Sequence, residues 1–179
     1  MDGALAASFK ADRLSIGAYP GGETPDASKR LHVDRYVVAK KKGTPVQWNG
    51  KAFQSLDGAV GIQLGYSVGE QLTSLKVPVD DGSLTLRELL LKLLAGRIGA
   101  AAVLASEMEY LAKQDTKLAA QIDILSIPLV EKPYYLILSH HILASNPALA
   151  DRLWKAIEQE RNSPAYRKAE KNAMAGGLQ

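Results

Sequence analysis

The sequence predicts an α/β fold with a mainly parallel sheet, and three observations support this class. Strand-like and helix-like segments alternate over residues 59–125, as in strand–helix–strand units. Residues 133–139 are rich in aromatic and aliphatic side chains and form the strongest strand signal in the chain. Residues 56–72 are typical of a turn, a short strand, a glycine-rich bend and the start of a helix.

Strands and helices follow from local residue patterns. Strands are predicted at residues 34–40, 59–64, 77–79, 100–104, 121–125 and 133–139. Helices are predicted at residues 51–56, 68–75, 84–94, 107–113, 147–160 and 164–171. Ser83 and Ser106 are expected to cap the third and fourth helices, and Pro147 and Pro164 suit the first turns of the last two. Turns are expected at residues 19–22 and after Gly96, and fraying at residues 175–179.

Composition excludes several classes of function. The 179 residues suffice for one domain or two small lobes, and cysteine is absent, which rules out disulfides, thiolate metal sites and cysteine nucleophiles. The net charge of +3 is spread along the chain and aromatic residues make up 6%, so a nucleic-acid-binding face is not expected. The three histidines, including the adjacent His140 and His141, lack metal-ligand spacing. No cofactor, metal site or catalytic machinery is therefore expected.

The order of several motifs resembles one family. The segments are Ser8-Phe-Lys-Ala-Asp-Arg13 with Tyr19-Pro20, Leu56-Asp-Gly-Ala-Val-Gly-Ile-Gln-Leu-Gly-Tyr-Ser67, Leu94-Ala-Gly-Arg-Ile98, Pro133-Tyr-Tyr-Leu-Ile-Leu-Ser139 and the two final helices. In this order they resemble the type II periplasmic solute-binding proteins, in the amino-acid-binding class that serves ABC importers. The resemblance runs from about residue 2 to about residue 171.

The resemblance implies two α/β lobes joined by two crossing strands, at residues 36–40 and 134–139. Residues 1–38 and 134–179 would form a partial first lobe, and residues 39–133 a complete second lobe. Family members carry further elements and a signal peptide before the position of Met1, so the first lobe is expected to be incomplete. An exposed sheet edge recruits other chains, which predicts a homodimer.

The resemblance also implies a function: capture of a small polar or anionic solute, such as an amino acid or related carboxylate, for the membrane subunits of an ABC transporter. It implies a periplasmic location. Two other functions stay open. One is an enzyme on the same lobes, which the missing nucleophile and metal motif disfavour. The other is a binding-protein-like module that dimerises or senses without transport.

Seven residues are candidate ligand contacts, and each has a structural alternative. Arg13 could hold a carboxylate through two parallel bonds, or it could be a solvated arginine beside Asp12. Backbone N–H groups and side chains at the glycine bend could contact the solute, or Ser67 could simply cap a helix. The full set is Ser8, Arg13, Tyr19, Gly65, Tyr66, Ser67 and Glu107.

Glu107 is the candidate that departs from the family pattern. Amino-acid binders usually place an aspartate after the strand that follows glycine-arginine-isoleucine, where it holds the ligand's ammonium group. Here that stretch is Gly99-Ala-Ala-Ala-Val-Leu-Ala-Ser106, and the nearest acid is Glu107. Either the ligand is not an ordinary amino acid or the acid is supplied differently. Alternatively, Glu107 is a first-turn acid favoured by the helix dipole.

Overall fold

A computed structural model describes residues 2–175. The strands are β1 (Gly3–Ser8), β2 (Gly17–Ala18), β3 (His32–Lys41), β4 (Gln47–Trp48), β5 (Phe53–Gln54), β6 (Val60–Gln63), β7 (Val79–Ser83), β8 (Ala100–Leu104), β9 (Ile122–Ile124) and β10 (Val130–Ser139). The α-helices are α1 (Val68–Ser74), α2 (Leu86–Leu94), α3 (Ala105–Gln114), α4 (Thr116–Ala119), α5 (His140–Ser145), α6 (Pro147–Arg161) and α7 (Pro164–Ala175). Short 3-10 helices cover Ala11–Ser15 and Ala27–Lys29.

The chain divides into two compact units. Unit 1 contains the residues up to Val33 and those from Lys132 onward, and unit 2 is Asp34–Glu131. The chain passes between the units within β3 and again within β10. The sequence placed these two boundaries after residues 38 and 133. The predicted fraying of residues 175–179 falls, apart from the helical Ala175, outside the described residues.

Unit 2 is built on a mixed sheet in which β6 is the central parallel strand. Strand β6 pairs in parallel with β7 on one side and with β8 on the other, as expected for strand–helix–strand units. Strand β3 then pairs antiparallel with β8, and β9 pairs antiparallel with β3. The sheet of unit 2 is therefore parallel at β8, β6 and β7 and antiparallel at β3 and β9.

The core of unit 2 lies between this sheet and helix α2. Every residue of β8 is buried, and its alanines leave room for Leu89, Leu90 and Leu93 from α2. Gly61 of β6 permits the closest approach: a β-carbon there would lie 2.6 Å from Leu89 Cδ1. Helix α2 thus packs directly on the strands whose ends carry the polar residues described below.

Unit 1 consists of antiparallel strands with helices α5, α6 and α7. Strand β10 pairs with β1 and with β2. One apolar cluster contains Tyr19, Tyr135 and Ile137. A second joins Leu138 to Trp154 of α6, whose indole Nε1 donates to the Leu136 carbonyl at 2.9 Å. Pro147 begins α6 as predicted, with the Asn146 side chain capping it.

The predicted helix over residues 51–56 is wrong. Residues 47–54 form a two-stranded hairpin of β4 and β5 instead. Asn49 Oδ1 accepts bonds from the backbone N–H groups of Lys51 and Ala52, which closes the turn, and the Trp48 and Phe53 rings pack at 4.8 Å across it. Side chain–backbone bonding at Asn49 therefore overrides the weak helical pattern.

Two predicted helix starts are also wrong. Helix α2 begins after Thr85 rather than Ser83, because Thr85 and Glu88 form a reciprocal capping box while β7 extends through Ser83. Helix α3 begins at Ala105, so Ser106 lies inside the first turn instead of capping it. The adjacent His140 and His141 begin helix α5 after the cap Ser139.

Candidate functional site

Strands β6 and β8 of unit 2 end beside each other, and the chain leaves them in opposite directions. Strand β6 leads through α1 to β7 on one side, whereas β8 leads through α3 and α4 to β9, which pairs with β3 on the other. In open α/β sheets, the crevice outside the carboxyl ends of two such strands is where ligands bind. This point of unit 2 is therefore the first place to look for a site.

The bend after β6 depends on Gly65. Its φ of +78° lies in the left-handed region that favours glycine, and the Tyr66 N–H closes the turn on the Gln63 carbonyl at 3.2 Å. Ser67 is buried at the cap position of α1, but its side chain does not cap the helix. Helix α1 has only seven residues. The candidate ligand-binding groups here are therefore the side chains of the bend rather than the helix terminus.

A chain of polar side chains connects the ends of β6 and β8. The Gln63 side-chain amide donates to the Tyr66 hydroxyl at 3.2 Å, and that hydroxyl donates to Glu107 Oε1 at 2.6 Å. The Tyr36 ring meets the Tyr66 ring edge-on at 6.3 Å and restrains it. Gln63 is the last residue of β6, and Glu107 lies in the first turn of α3.

Two acceptor oxygens of this chain are buried without a hydrogen-bond partner among the described residues. They are Gln63 Oε1 and Glu107 Oε2. Gln63 is only 8% exposed, so water gives its side chain little compensation. Burial raises the pKa of the Glu107 carboxyl, the Tyr66 hydrogen bond opposes this rise, and the nearby Asp34 carboxylate adds to it. The group is suited to accepting hydrogen bonds from a bound donor.

A cavity of about 530 Å³ is lined in part by Gln63 and Glu107. Its walls come from the start of α2 and from one face of α3, and they are lined by Gln63, Leu84, Thr85, Leu86, Arg87, Ser106, Glu107, Tyr110, Leu111, Gln114 and Asp115. Arg87 pairs with Asp115 at 2.5 Å, and the Ser106 hydroxyl donates to Asp34. Apolar walls with a few convergent polar groups are typical of small-molecule sites of this volume.

The three candidates in unit 1 form a local structural group around Ser8. Tyr19 is almost fully buried, and its hydroxyl donates to the Ser8 carbonyl at 2.7 Å. Arg13 Nη1 donates to the same carbonyl at 2.6 Å. Ser8 itself is buried at the end of β1. Tyr19, a candidate ligand contact, thus lies in the core of unit 1.

Of the candidates in unit 2, the structure brings Tyr66 and Glu107 into direct contact, with Gly65 shaping the bend between them and β6. Sequence reasoning missed Gln63 and Asp34. Gln63 had a usable signal, because a polar residue at the end of an apolar strand and three positions before Tyr66 is placed to meet it. No signal in the sequence pointed to Asp34, since its proximity to α3 depends on the antiparallel pairing of β3 with β8.

Two further features of residues 2–175 bear on function. They contain no cluster of three or more histidine, aspartate or glutamate side chains arranged to hold a metal ion. None of the described helices combines the length and the apolar character needed to cross a bilayer.

Comparison with solved structures identifies the fold. The substrate-binding protein of an amino acid ABC transporter superposes with a TM-score of 0.66 at 19% identity, over 94% of this chain and 68% of that one. The arginine-, lysine-, histidine-binding protein ArtJ from Geobacillus stearothermophilus gives a TM-score of 0.66 at 16% identity, over 96% and 69%. The ancestral amino-acid-binding protein AncCDT-1, a precursor of cyclohexadienyl dehydratase, gives 0.65 at 14% identity, over 93% and 66%.

The chain therefore has the fold of the type II periplasmic binding proteins, and it spans about two thirds of the length of these neighbours. Its structural neighbours include the substrate-binding protein of an amino acid ABC transporter and two arginine-binding proteins, which confirms the predicted resemblance at the level of the fold. No protein-family model and no curated protein sequence matches the chain.

Proposed function

We propose that this protein captures a small polar solute of the amino-acid class and has no catalytic role. The observation that supports the proposal is the Gln63–Tyr66–Glu107 chain beside the strand ends of β6 and β8, because two of its acceptor oxygens have no hydrogen-bond partner among the described residues. An amino acid supplies the N–H donors that such oxygens require.

The structural neighbours support binding over catalysis. They include the substrate-binding protein of an amino acid ABC transporter and a protein that binds arginine, lysine and histidine. AncCDT-1 is a precursor of a dehydratase, so the fold is compatible with enzymes too. The described part of this chain offers no metal cluster, and the polar chain at Glu107 has no nucleophile beside a base.

Each candidate residue has a proposed role. Glu107 accepts from the solute's ammonium group, and Gly65, Tyr66 and Ser67 present the bend that positions it. Within unit 1, Arg13 is the proposed contact for a carboxylate group, and its Nη1 donates to the Ser8 carbonyl. Tyr19 supports that carbonyl from the core, so its contribution and that of Ser8 are indirect.

A binding protein of this kind serves a membrane transporter. One structural neighbour is the substrate-binding protein of an amino acid ABC transporter. By analogy with that neighbour, we propose that this protein works in the periplasm and delivers its solute to the membrane subunits of an ABC importer.

We also propose a homodimer formed through unit 1. Leu5 on β1 and Ile16, which follows the first 3-10 helix, are 72% and 71% exposed, an unusual display for large apolar side chains. Light scattering tests the dimer, and a monodisperse monomer would contradict it.

Thermal shift followed by calorimetry tests the binding role. Amino acids and small carboxylates should raise the Tm of the wild-type chain, since a ligand of the native state stabilises it. Arg13→Ala should weaken binding of carboxylate-bearing solutes about tenfold or more, and Arg13→Lys should not restore it. The matched control is Arg152→Ala, which removes an exposed arginine of α6 in the same unit.

The second candidate is a module of the same fold that dimerises or senses without transport. The exposed Leu5 and Ile16 favour it, because they offer an interface that does not depend on a solute. A dimer that shows no Tm response to a broad solute panel would support this function and contradict solute capture.

A further inference from the structure

A second cavity of unit 2 lies at the other end of its parallel strands. Its volume is about 370 Å³, within the range of small-molecule sites. It is lined by residues from β5, from the segment before β6 and from the connection between α1 and β7: Lys51, Ala52, Phe53, Ser55, Leu56, Leu75, Lys76, Val77 and Pro78. Because β6 and β7 are parallel, this cavity lies at their amino ends, away from the crevice at the carboxyl ends.

The lining of this cavity is positively charged and apolar. Its two charged residues are Lys51 and Lys76, both exposed, and Ser55 adds a hydroxyl donor. Within residues 2–175, neither lysine side chain forms an ion pair. The Phe53 ring, which packs against Trp48 at 4.8 Å, provides an apolar wall. Ammonium and hydroxyl donors beside apolar side chains suit an anion that carries an apolar part.

Lys76 occupies a backbone position that favours glycine. It follows the end of α1 with a φ of +57°. The Lys76 N–H donates to the Thr73 carbonyl at 2.9 Å, and the Val77 N–H donates to the Leu72 carbonyl at 3.0 Å, which is the Schellman pattern of a helix end. A β-carbon is unfavourable in this left-handed conformation, so the lysine strains the backbone.

The end of α2 shows the same motif without that strain. There Gly96 takes the left-handed position, with a φ of +71°, and its N–H donates to the Leu93 carbonyl at 3.1 Å. A lysine near a helix end gains from the helix dipole, but a position in the last turn would give this gain without a positive φ. The helix end therefore does not explain why a lysine stands at residue 76.

The strain is concentrated at this cavity. Three non-glycine residues within residues 2–175 have a positive φ, and two of them, Ser55 at +53° and Lys76, line the cavity. Backbone strain that gathers at one cavity is a sign of function. Both strained residues also carry the donors that an anion requires.

We propose that this cavity binds a small organic anion whose charged group pairs with Lys51 and Lys76 and whose apolar part lies against Phe53. The site is separate from the crevice of the proposed function, and its ligand needs no amine. The lysine at residue 76 is then a binding residue that lowers the stability of the chain.

Four probes test the two requirements for charge and apolar surface. Octanoate has both, octanol lacks the charge, octylamine reverses it, and acetate lacks the apolar part. Calorimetry on the full chain should detect octanoate, and each of the other three should bind about tenfold more weakly or worse. Octanol or octylamine binding as tightly as octanoate would overturn the anion site.

Lys76→Gly is the decisive variant, because stability and binding should change in opposite directions. Relief of the backbone strain should raise the Tm by about 2–4 °C, whereas octanoate affinity should fall about fivefold. Lys76→Arg keeps the charge and should bind octanoate within about twofold of the wild type. The matched control is Lys113→Ala, which removes an exposed lysine of α3 and should leave octanoate binding unchanged. A Lys76→Gly variant that binds octanoate like the wild type would overturn the proposal.

Failure of this site and failure of the proposed function can be told apart. Octanoate binding should be the same in the wild type and in Arg13→Ala, and amino-acid binding should be the same in the wild type and in Lys76→Gly. If Arg13→Ala weakens octanoate binding and Lys76→Gly does not, the anion occupies the solute site and this inference is overturned. If octanoate binding depends on Lys76 and no amino acid binds, this inference stands and solute capture fails.

Discussion

The two units differ in what their polar residues do with their hydrogen bonds. In unit 1, the buried Tyr19 hydroxyl donates to the Ser8 carbonyl, so this side chain stabilises the local backbone. In unit 2, Tyr66 joins Gln63 and Glu107 into a chain that leaves two buried oxygens unused. The contrast teaches that a tyrosine hydroxyl can be used up by the backbone of its own unit, as at Tyr19, or can join side chains that keep unused hydrogen-bonding groups, as at Tyr66.

The largest expected effect is on the stability of unit 2, at Gly99, the residue that precedes β8. A β-carbon at Gly99 would lie 2.0 Å from the Asp57 carbonyl oxygen, a backbone atom that cannot move aside cheaply. Gly99→Ala should therefore lower the free energy of unfolding by about 3 kcal/mol, measured by urea denaturation.

Gly43→Ala is the control for that change. Gly43 has a φ of +82° but no atom within 4 Å of an added β-carbon, so only backbone strain of about 1 kcal/mol is expected. Equal losses in the two variants would contradict the steric account of Gly99.

The contrast between the units can be tested by removing one tyrosine hydroxyl from each unit. Tyr66→Phe removes the hydroxyl that bonds both the Gln63 amide and Glu107 Oε1, and should lower the free energy of unfolding by about 2 kcal/mol. Tyr19→Phe removes a single bond to a carbonyl that Arg13 also contacts, and should lower it by about 1 kcal/mol. Urea denaturation measures both.

Tyr110→Phe is the control within the cavity. Its exposed ring stays and only the hydroxyl is lost, so stability should change by less than about 0.5 kcal/mol. If Tyr66→Phe behaved like Tyr110→Phe, the polar chain would not be the feature that distinguishes unit 2.

A smaller effect on stability is expected at the helix caps. In both units a side-chain oxygen accepts a hydrogen bond from a backbone N–H group at the start of a helix. Thr85→Ala in unit 2 and Asn146→Ala in unit 1 each remove a side-chain acceptor at a helix start, and each should cost about 1 kcal/mol by urea denaturation. A loss of only a few tenths at Thr85 would show that Glu88 alone holds the start of α2.

The smallest effect is a pH dependence at Glu107. Because burial raises the pKa of this carboxyl, the folded chain binds its proton more tightly than the unfolded chain does. The wild type should therefore lose stability relative to Glu107→Gln as the pH rises from the carboxyl's ordinary range through its raised pKa.

Tm measurements on the wild type and on the Glu107→Gln variant between about pH 4 and about pH 8 check this trend. The other titratable and charged groups near the carboxyl are Tyr66, Asp34 and the Arg87–Asp115 pair. These groups are present in both the wild type and the variant, so the difference in Tm between the two proteins reports on Glu107. A Tm difference that does not change with pH would contradict a raised pKa.

Strong local patterns predicted much of the fold. Strand β8 was predicted with its observed bounds, because five consecutive apolar residues can be buried on both faces only inside a sheet. Helix α6 followed from Asn146 and Pro147, whose preferences for a helix start are local. The hairpin at residues 47–54 and the start of α2 were mispredicted because the side chains of Asn49, Thr85 and Glu88 decide them.

The candidate site was only half predictable. Tyr66 and Glu107 were singled out separately, yet 41 positions separate them and no local pattern says that their side chains meet. Gln63 and Asp34 join the group through strand pairing in unit 2. The unused oxygens are a property of three-dimensional packing, so they could be found only in the structure.

A crystal structure of the protein soaked with the amino acid that gives the largest increase in Tm tests the central claim most directly. The account predicts the amino acid beside the crevice where β6 and β8 end, with its ammonium nitrogen at hydrogen-bonding distance, about 2.7–3.2 Å, from the Glu107 carboxylate. An amino acid bound elsewhere in the molecule would contradict it.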